Sequence, residues 1–283
     1  MPFDYQRIRQ WPIAPATEHY GPQDCATYAR GIGCGLAAPY AALEQAYLDG
    51  VEALPMMAVI LGAEGALWAN EPETGIDWKR MLHAEEAVRL VRPLANTGAI
   101  TTQFKVDEIY DKGADKGALM YESAQLRDEA GKEIASVLVT MFLRGNGGCG
   151  GSAAEPPRPA TVPGDRPADV LIDLPTPRDE DAIYKLPAIF DAARSAHSGT
   201  AQSMLRGVCA FGLAGRALIH GVCRSRASQL CELGLRYTGP VFTNETLRTE
   251  IWNLGAGRYA FRVRAVERDS VVMNNGYATI FAD

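Results

Sequence analysis

The same order of elements occurs twice in this chain: an apolar segment of helical length, then a run of long β-rich segments. Between the two copies lies a stretch too rich in glycine and proline to build either kind of element,. Such a duplication admits few folds, because each copy must bury one apolar helix against one face of its own sheet. The divider, Gly145-Asn-Gly-Gly-Cys-Gly-Gly-Ser-Ala-Ala-Glu-Pro-Pro-Arg-Pro, extends to about Pro167. The expected organisation is therefore an N-terminal half over 1–145, a linker over 146–167 and a C-terminal half over 168–283.

In the first half, apolar periodicity predicts a helix over Asp24–Gly31 and a more buried one from Ala53 to about Leu67,. Ala99–Tyr110, Ala118–Leu126 and Ile134–Arg144 are long, β-rich and separated by the turn signals Lys112-Gly113 and Asp128-Glu-Ala-Gly, which predicts an antiparallel meander,. The second half repeats this with helix signals from Asp179 and a buried helix from about Gly207 to Gly221. Strands follow near Leu233–Phe242, Leu247–Asn253, Arg258–Glu267 and Val271–Phe281. Pro93-Leu-Ala-Asn-Thr before the first long strand matches Pro240-Val-Phe-Thr-Asn-Glu-Thr before its counterpart. Two α+β units of this kind pack side by side, hide sheet edges and leave a ligand groove between them.

Charge and composition remove several functions. Lys and Arg total 28 against 34 Asp and Glu, and no basic block exists, so the footprint needed for a phosphate backbone is missing and nucleic acid is excluded as a partner,. The longest apolar stretch, Ala53 to Trp68, is interrupted by Glu and Gly short of the roughly 20 residues a membrane span requires,. Met-Pro-Phe-Asp-Tyr-Gln-Arg lacks an apolar signal core and Phe281-Ala282-Asp283 is not a peroxisomal address, so a cytoplasmic location is expected,. Cys25, Cys34, Cys149, Cys209, Cys223 and Cys231 form no CxxC pair, which signals neither zinc nor disulfides and reads as small buried apolar residues,. Gly147-Gly148 and Gly150-Gly151 lack the strand–GxxxxGK[ST]–helix context of a phosphate loop and read as linker,.

Taken in order, several short stretches resemble the MaoC-like family, in particular its double-hotdog (R)-specific enoyl-CoA hydratases and the hydratase part of the peroxisomal multifunctional enzyme. They are Leu54-Pro55, Met81-Leu-His-Ala-Glu-Glu86, Tyr110-Asp-Lys-Gly113, Leu143-Arg-Gly-Asn-Gly-Gly-Cys-Gly-Gly151, Asp181-Ala-Ile-Tyr-Lys-Leu186, Gly207-Val-Cys-Ala-Phe-Gly-Leu-Ala-Gly-Arg-Ala-Leu218 and Arg236-Tyr-Thr-Gly-Pro-Val-Phe242. The resemblance implies an α+β double hotdog, two repeats of a buried helix wrapped by an antiparallel sheet. It further implies a CoA thioester in the groove, no other cofactor, and reversible addition of water to a 2-enoyl-CoA to give the (R)-3-hydroxyacyl-CoA. The thioester oxygen would be held by the backbone N–H groups of Gly207 and Val208, where a helix N-terminus suits the developing enolate charge. A homodimer, or a related partner subunit, is expected on the same ground, and His83 would line the groove.

Two departures matter. The family's Gly-Asp-x-Asn-Pro-x-His segment, whose Asp and His position and activate water, should follow Leu186, but the chain reads Pro187-Ala-Ile-Phe-Asp191-Ala-Ala-Arg-Ser-Ala-His197-Ser-Gly-Thr. One alignment makes Pro187 the opening of the helix that follows the motif, so that about eleven residues with the catalytic pair are absent, as a proline followed by an Ala-rich tract suits. The other lets Asp191 and His197 supply the pair, at a spacing that requires a broken helix, since i and i+6 face apart on an intact one. The second departure is Arg206 where relatives have His; a guanidinium stays protonated, so it binds an anion or polarises a carbonyl but does not serve as a base.

The remaining histidines are His19, read as loop, and His220, read as a cap at the end of the buried helix,. Asp179, Glu180 and Asp181 read as carboxylates opening a helix. Three outcomes stay open: hydration with Asp191 and His197 or a rebuilt loop, another thioester reaction such as isomerisation or hydrolysis, or a non-catalytic acyl-CoA-binding or partner subunit.

Overall fold

The computed structural model describes residues 2–178 and 203–281. Chain order gives α1 (Tyr5–Arg9), β1 (Ala16–Tyr20), α2 (Pro22–Gly31), α3 (Gln45–Leu48), β2 (Met81–Leu90), β3 (Gly98–Asp111), β4 (Ala118–Arg127) and β5 (Glu133–Leu143). Then come β6 (Val170–Pro175), α4 (Gly207–Val222), β7 (Leu230–Tyr237), β8 (Thr246–Gly255), β9 (Arg258–Ala265) and β10 (Ser270–Ile280). All ten strands join one antiparallel sheet in the order β1-β3-β4-β5-β2-β7-β10-β9-β8-β6. Read outward from the β2–β7 seam, the first half runs β2, β5, β4, β3, β1 and the second β7, β10, β9, β8, β6, so the duplication in sequence is a duplication in topology. Glu85↔Arg236 through Arg89↔Glu232 pair across the seam and make the halves one double-hotdog sheet.

The two halves fill their sheets differently. In the second, α4 runs through the core with Cys209 to Ile219 buried on every side, as its all-round apolar composition dictates. At Gly212 an added Cβ would lie 2.5 Å from Ile32, so this helix packs closer to the N-terminal segment than a side chain would allow. In the first half, the helix expected from Ala53 to Leu67 does not form. Pro55–Val59 and Ala63–Asn70 are 3₁₀ turns instead, broken at Gly62, whose φ is +72°.

Local hydrogen bonding explains the break. The Gly62 N–H donates to Glu18 Oε2 (2.7 Å) and the Leu61 carbonyl accepts from Thr102 Oγ1 (2.9 Å), so both groups are committed across the sheet rather than along a helix. Only glycine takes a left-handed conformation at no steric cost, and a Cβ there would meet Thr102 at 2.5 Å. The tight turns fill less of the sheet's concave face than a full helix does, and a cavity remains between them and β2 to β5.

Within the expected linker, the glycine run is pinned. Asp111 accepts hydrogen bonds from the N–H groups of Gly113, Gly148 and Gly150, each at 2.9 Å. Asn146 bridges Gly75 and Asp77, and Ser152 pairs with Tyr110, donating its N–H to the Ile109 carbonyl and accepting from the Asp111 N–H. Among the described residues, no helix is long and apolar enough to cross a membrane.

Candidate functional site

The cavity holds about 290 Å³. One wall is the 3₁₀ segment from Ala58 to Ala66, and the floor is the inward face of β2 to β5. Its remaining side is Met204 to Val208, the approach to α4 and its first turn. That approach is fixed by strand-like bonds, Leu205 N–H to the Val241 carbonyl (2.8 Å) and Thr243 N–H to the Ser203 carbonyl (2.8 Å). Arg206 caps α4 in an extended conformation (φ −68°, ψ 147°), and its carbonyl accepts the first helical bonds, from Cys209 and Ala210. The N–H groups of Gly207 and Val208 therefore have no acceptor among the described residues, as the start of any helix leaves them,. Here they lie at the edge of the cavity.

Polar side chains gather at this end. Tyr237, the last residue of β7, lies against Gly207, where an added Cβ would come 3.2 Å from its ring. Its hydroxyl donates to Glu86 Oε2 at 2.7 Å. The His83 ring sits 4.9 Å from that of Tyr237, and its Nε2 is buried with no hydrogen-bond partner among the described residues, 3.9 Å from Glu86 Oε2. In a regular strand, residues 83 and 86 would face opposite sides. A bulge between His83 and Glu85 in the β2–β5 register turns both inward,.

Burial controls the charge state of the cavity. It pushes the Glu86 carboxyl up to about 8, against the opposing pull of the Tyr237 hydroxyl. It likewise raises Glu122 to about 7, although Trp68 Nε1 donates to it at 2.8 Å. His83 is pushed down to about 4 by the same desolvation,. At neutral pH Glu86 is an uncharged acid and His83 an uncharged imidazole. Arg206 borders the same space.

A stability consequence follows from Glu86. Its folded pKa of about 8 lies above the ordinary 4.5, so between those values the unfolded chain sheds a proton that the folded one keeps. Its contribution is complete below pH 4.5 and is lost as pH rises through about 8,. Urea unfolding across that window should show stability falling as pH rises, and Glu86→Gln should remove its share of the slope, leaving that of Glu122 opposed below pH 6.5 by His83, whose folded value of about 4 adds stability as pH rises,.

Of the residues singled out in the sequence, His83, Arg206, Gly207 and Val208 are brought to one cavity. Asp191 and His197, with Asp179, Glu180 and Asp181, lie outside the described residues. His19 is on strand β1 rather than in a loop, paired with Ala99. His220 does not cap carbonyls: its Nε2 is 2.9 Å from Glu44 Oε1, its Nδ1 3.1 Å from Ser225 Oγ, and its ring stacks on Tyr40. Glu122 had no sequence signal beyond lying in an expected strand, and Glu86 none beyond the Met81–Glu86 stretch bordering the groove, because the bulge and the cross-strand register that aim them inward are tertiary.

Residues 19–145 match the family described as the MFE-2 hydratase 2 N-terminal domain, and 187–275 the MaoC like domain. The chain is 32% identical to 3-hydroxyacyl-thioester dehydratase Y of Mycobacterium tuberculosis, over 90% of both chains. It is 29% identical to the probable enoyl-CoA hydratase 2 of Dictyostelium discoideum, over 99% of this chain and 97% of that one. Among solved structures, a MaoC-like dehydratase from Phytophthora capsici superposes with a TM-score of 0.79 at 26% identity, covering 98% of this chain and 99% of the other.

Proposed function

This chain belongs to the MaoC-like dehydratase family, and on that premise we propose that it interconverts 2-enoyl-CoA and (R)-3-hydroxyacyl-CoA by reversible addition of water. The observation that carries the reading is the pair of N–H groups, Gly207 and Val208, that have no acceptor among the described residues and stand at the polar end of an otherwise largely apolar cavity. As the oxygen of water bonds to C3, the electron pair of the C2–C3 double bond moves onto the thioester oxygen. Those two N–H groups and the α4 dipole stabilise that charge. The enolate then collapses with a proton delivered to C2. Arg206 adds positive potential at the same end, either to the carbonyl or to the CoA phosphates.

Asp191 and His197 remain the proposed pair for activating water. The reaction draws on no cofactor beyond the CoA of the substrate, and a cytoplasmic homodimer is the proposed setting. The missing Gly-Asp-x-Asn-Pro-x-His run favours one alternative, in which the same oxyanion site serves thioester hydrolysis or double-bond isomerisation.

One assay separates these. With a medium-chain (E)-2-enoyl-CoA, the absorbance of the conjugated thioester should fall and the product should be heavier by one water, with the 3R configuration. Free CoA thiol, or an unhydrated isomer, would reject hydration. His197→Ala should lower kcat by roughly 10²–10⁴-fold, the usual contribution of a positioned acid or base.

A further inference from the structure

The cavity carries a second buried carboxyl that the proposed water chemistry does not use. Glu122 is 5% exposed and sits on β4. The β-sheet register places it in one row with Val139 of β5 and Glu86 of β2, on the same inward face. Two strand spacings separate the carboxyl-bearing backbones, about 10 Å. Glu86 stands beside the start of α4, so Glu122 lies toward the acyl end of a bound thioester. Around it the lining is apolar: Phe104, Ala124 and Val139 face the same space.

Its hydrogen bonding is half complete. Oε1 accepts from Trp68 Nε1 at 2.8 Å, and this is the side chain's one hydrogen bond among the described residues. Thr102, the polar residue of β3 that lines the cavity, pairs with Leu126 four residues along β4 and is committed to the Leu61 carbonyl. A plain hydrocarbon chain entering the cavity would strip water from Oε2 and offer nothing in return, which is costly for a buried carboxyl. We propose that Glu122 recognises a hydroxyl on the acyl group well beyond C3, making acyl thioesters hydroxylated between mid-chain and terminus the preferred ligands of this cavity.

A hydroxyl suits the position better than a carbonyl does. Burial raises the Glu122 carboxyl to about 7, so both carboxylate and acid are populated near neutral pH. A carbonyl satisfies only the acid, whereas a hydroxyl both donates and accepts and so satisfies either form. This inference rests on the reading of the cavity as a thioester site. Its test therefore uses binding, which does not depend on turnover.

Affinities would be measured by calorimetry for saturated medium-chain acyl-CoAs, plain or carrying one hydroxyl at successive positions from mid-chain to the terminus. At one position the hydroxylated ligand should bind roughly 10-fold or more tighter than the plain one, the usual range for a hydrogen bond to a charged group. Glu122→Leu should reverse that preference, while Glu122→Gln, which still accepts from Trp68 and can bond a hydroxyl, should keep most of it. Trp68→Phe separates loss of the indole bond from loss of recognition: the preference should survive it. Equal affinity for every ligand in the wild type, or an unchanged preference in Glu122→Leu, would overturn the proposal. If hydroxylated ligands bind selectively but no enoyl-CoA is hydrated, the hydratase reading fails and the recognition stands.

Discussion

Replacing Arg216 by Met should destabilise the protein by about 3–5 kcal/mol, read as a fall in the urea midpoint, because it strips a buried carboxylate of its cation. Glu44 is 0% exposed and Arg216 1%. Arg216 Nε is 2.9 Å from Glu44 Oε1, and its NH1 donates to the Ile32 carbonyl at 2.7 Å. Gly35 N–H donates to Glu44 Oε2 at 2.6 Å, and His220 closes the cluster from the last turn of α4. The network thus ties the segment after α2 to the central helix of the other half. Glu44→Leu combined with Arg216→Met should recover only part of the loss: an apolar pair avoids both charge-desolvation penalties, but the Gly35 N–H and the Ile32 carbonyl lose their partners,.

The same cluster sets an acid limit. Burial pushes the Glu44 carboxyl up, but the hydrogen bond with His220, the Arg216 charge and the Gly35 N–H together outweigh it, and the net position is below the ordinary 4.5. A depressed folded pKa gives stability that is present above the unfolded value and lost as pH falls through the folded one. Unfolding should therefore become easier below about pH 4.5, and Glu44→Gln should lose that dependence along with much of its stability.

Gly207→Pro should lower kcat by roughly 10²–10³-fold while leaving the fold intact, the loss expected when one oxyanion donor is removed. Proline suits the first position of a helix, and the preceding residue, Arg206, already has the extended conformation that proline requires of it,. The substitution thus deletes one N–H without asking α4 to move. A ring at this position does crowd Tyr237. Gly207→Ala adds a Cβ in the same place but keeps the N–H, so the difference between the two variants isolates the donor. Equal activity in both would remove Gly207 N–H from the mechanism.

The sequence made the sheet legible wherever strands alternate and are long. β3, β4, β5, β8, β9 and β10 fall within a few residues of their expected spans because β-branched and aromatic residues recur along them,. β2 was read only as a stretch bordering the groove. Its Met-Leu-His-Ala-Glu-Glu-Ala composition favours helix, and its place at the seam between β5 and β7 overrides that preference,. The short edge strands β1 and β6 gave no periodic signal to read.

The helix expected over Ala53–Leu67 was lost to Gly62, whose neighbours bond to Glu18 and Thr102 from elsewhere in the chain. That same loss leaves the space that the cavity occupies. The position of His220 at the helix end suggests a cation or a cap on the last carbonyls, and the carboxylate it meets instead of those carbonyls, Glu44, is out of local reach at 176 residues away. Arg206, Gly207 and Val208 were recoverable because the start of an apolar helix is local information. The inward aim of Glu86 was not, since it depends on a bulge.

Isotope-edited difference infrared spectroscopy of an acyl-CoA labelled at its thioester carbonyl tests the account most directly. Bound to the wild-type protein, the carbonyl stretch should move to lower frequency, as two N–H donors at the start of α4 polarise it, and the shift should shrink in Gly207→Pro but persist in Gly207→Ala. A bound thioester whose carbonyl stretch stays at its solution frequency, or moves equally in all three proteins, would contradict the placement of the reacting oxygen at the amides of Gly207 and Val208.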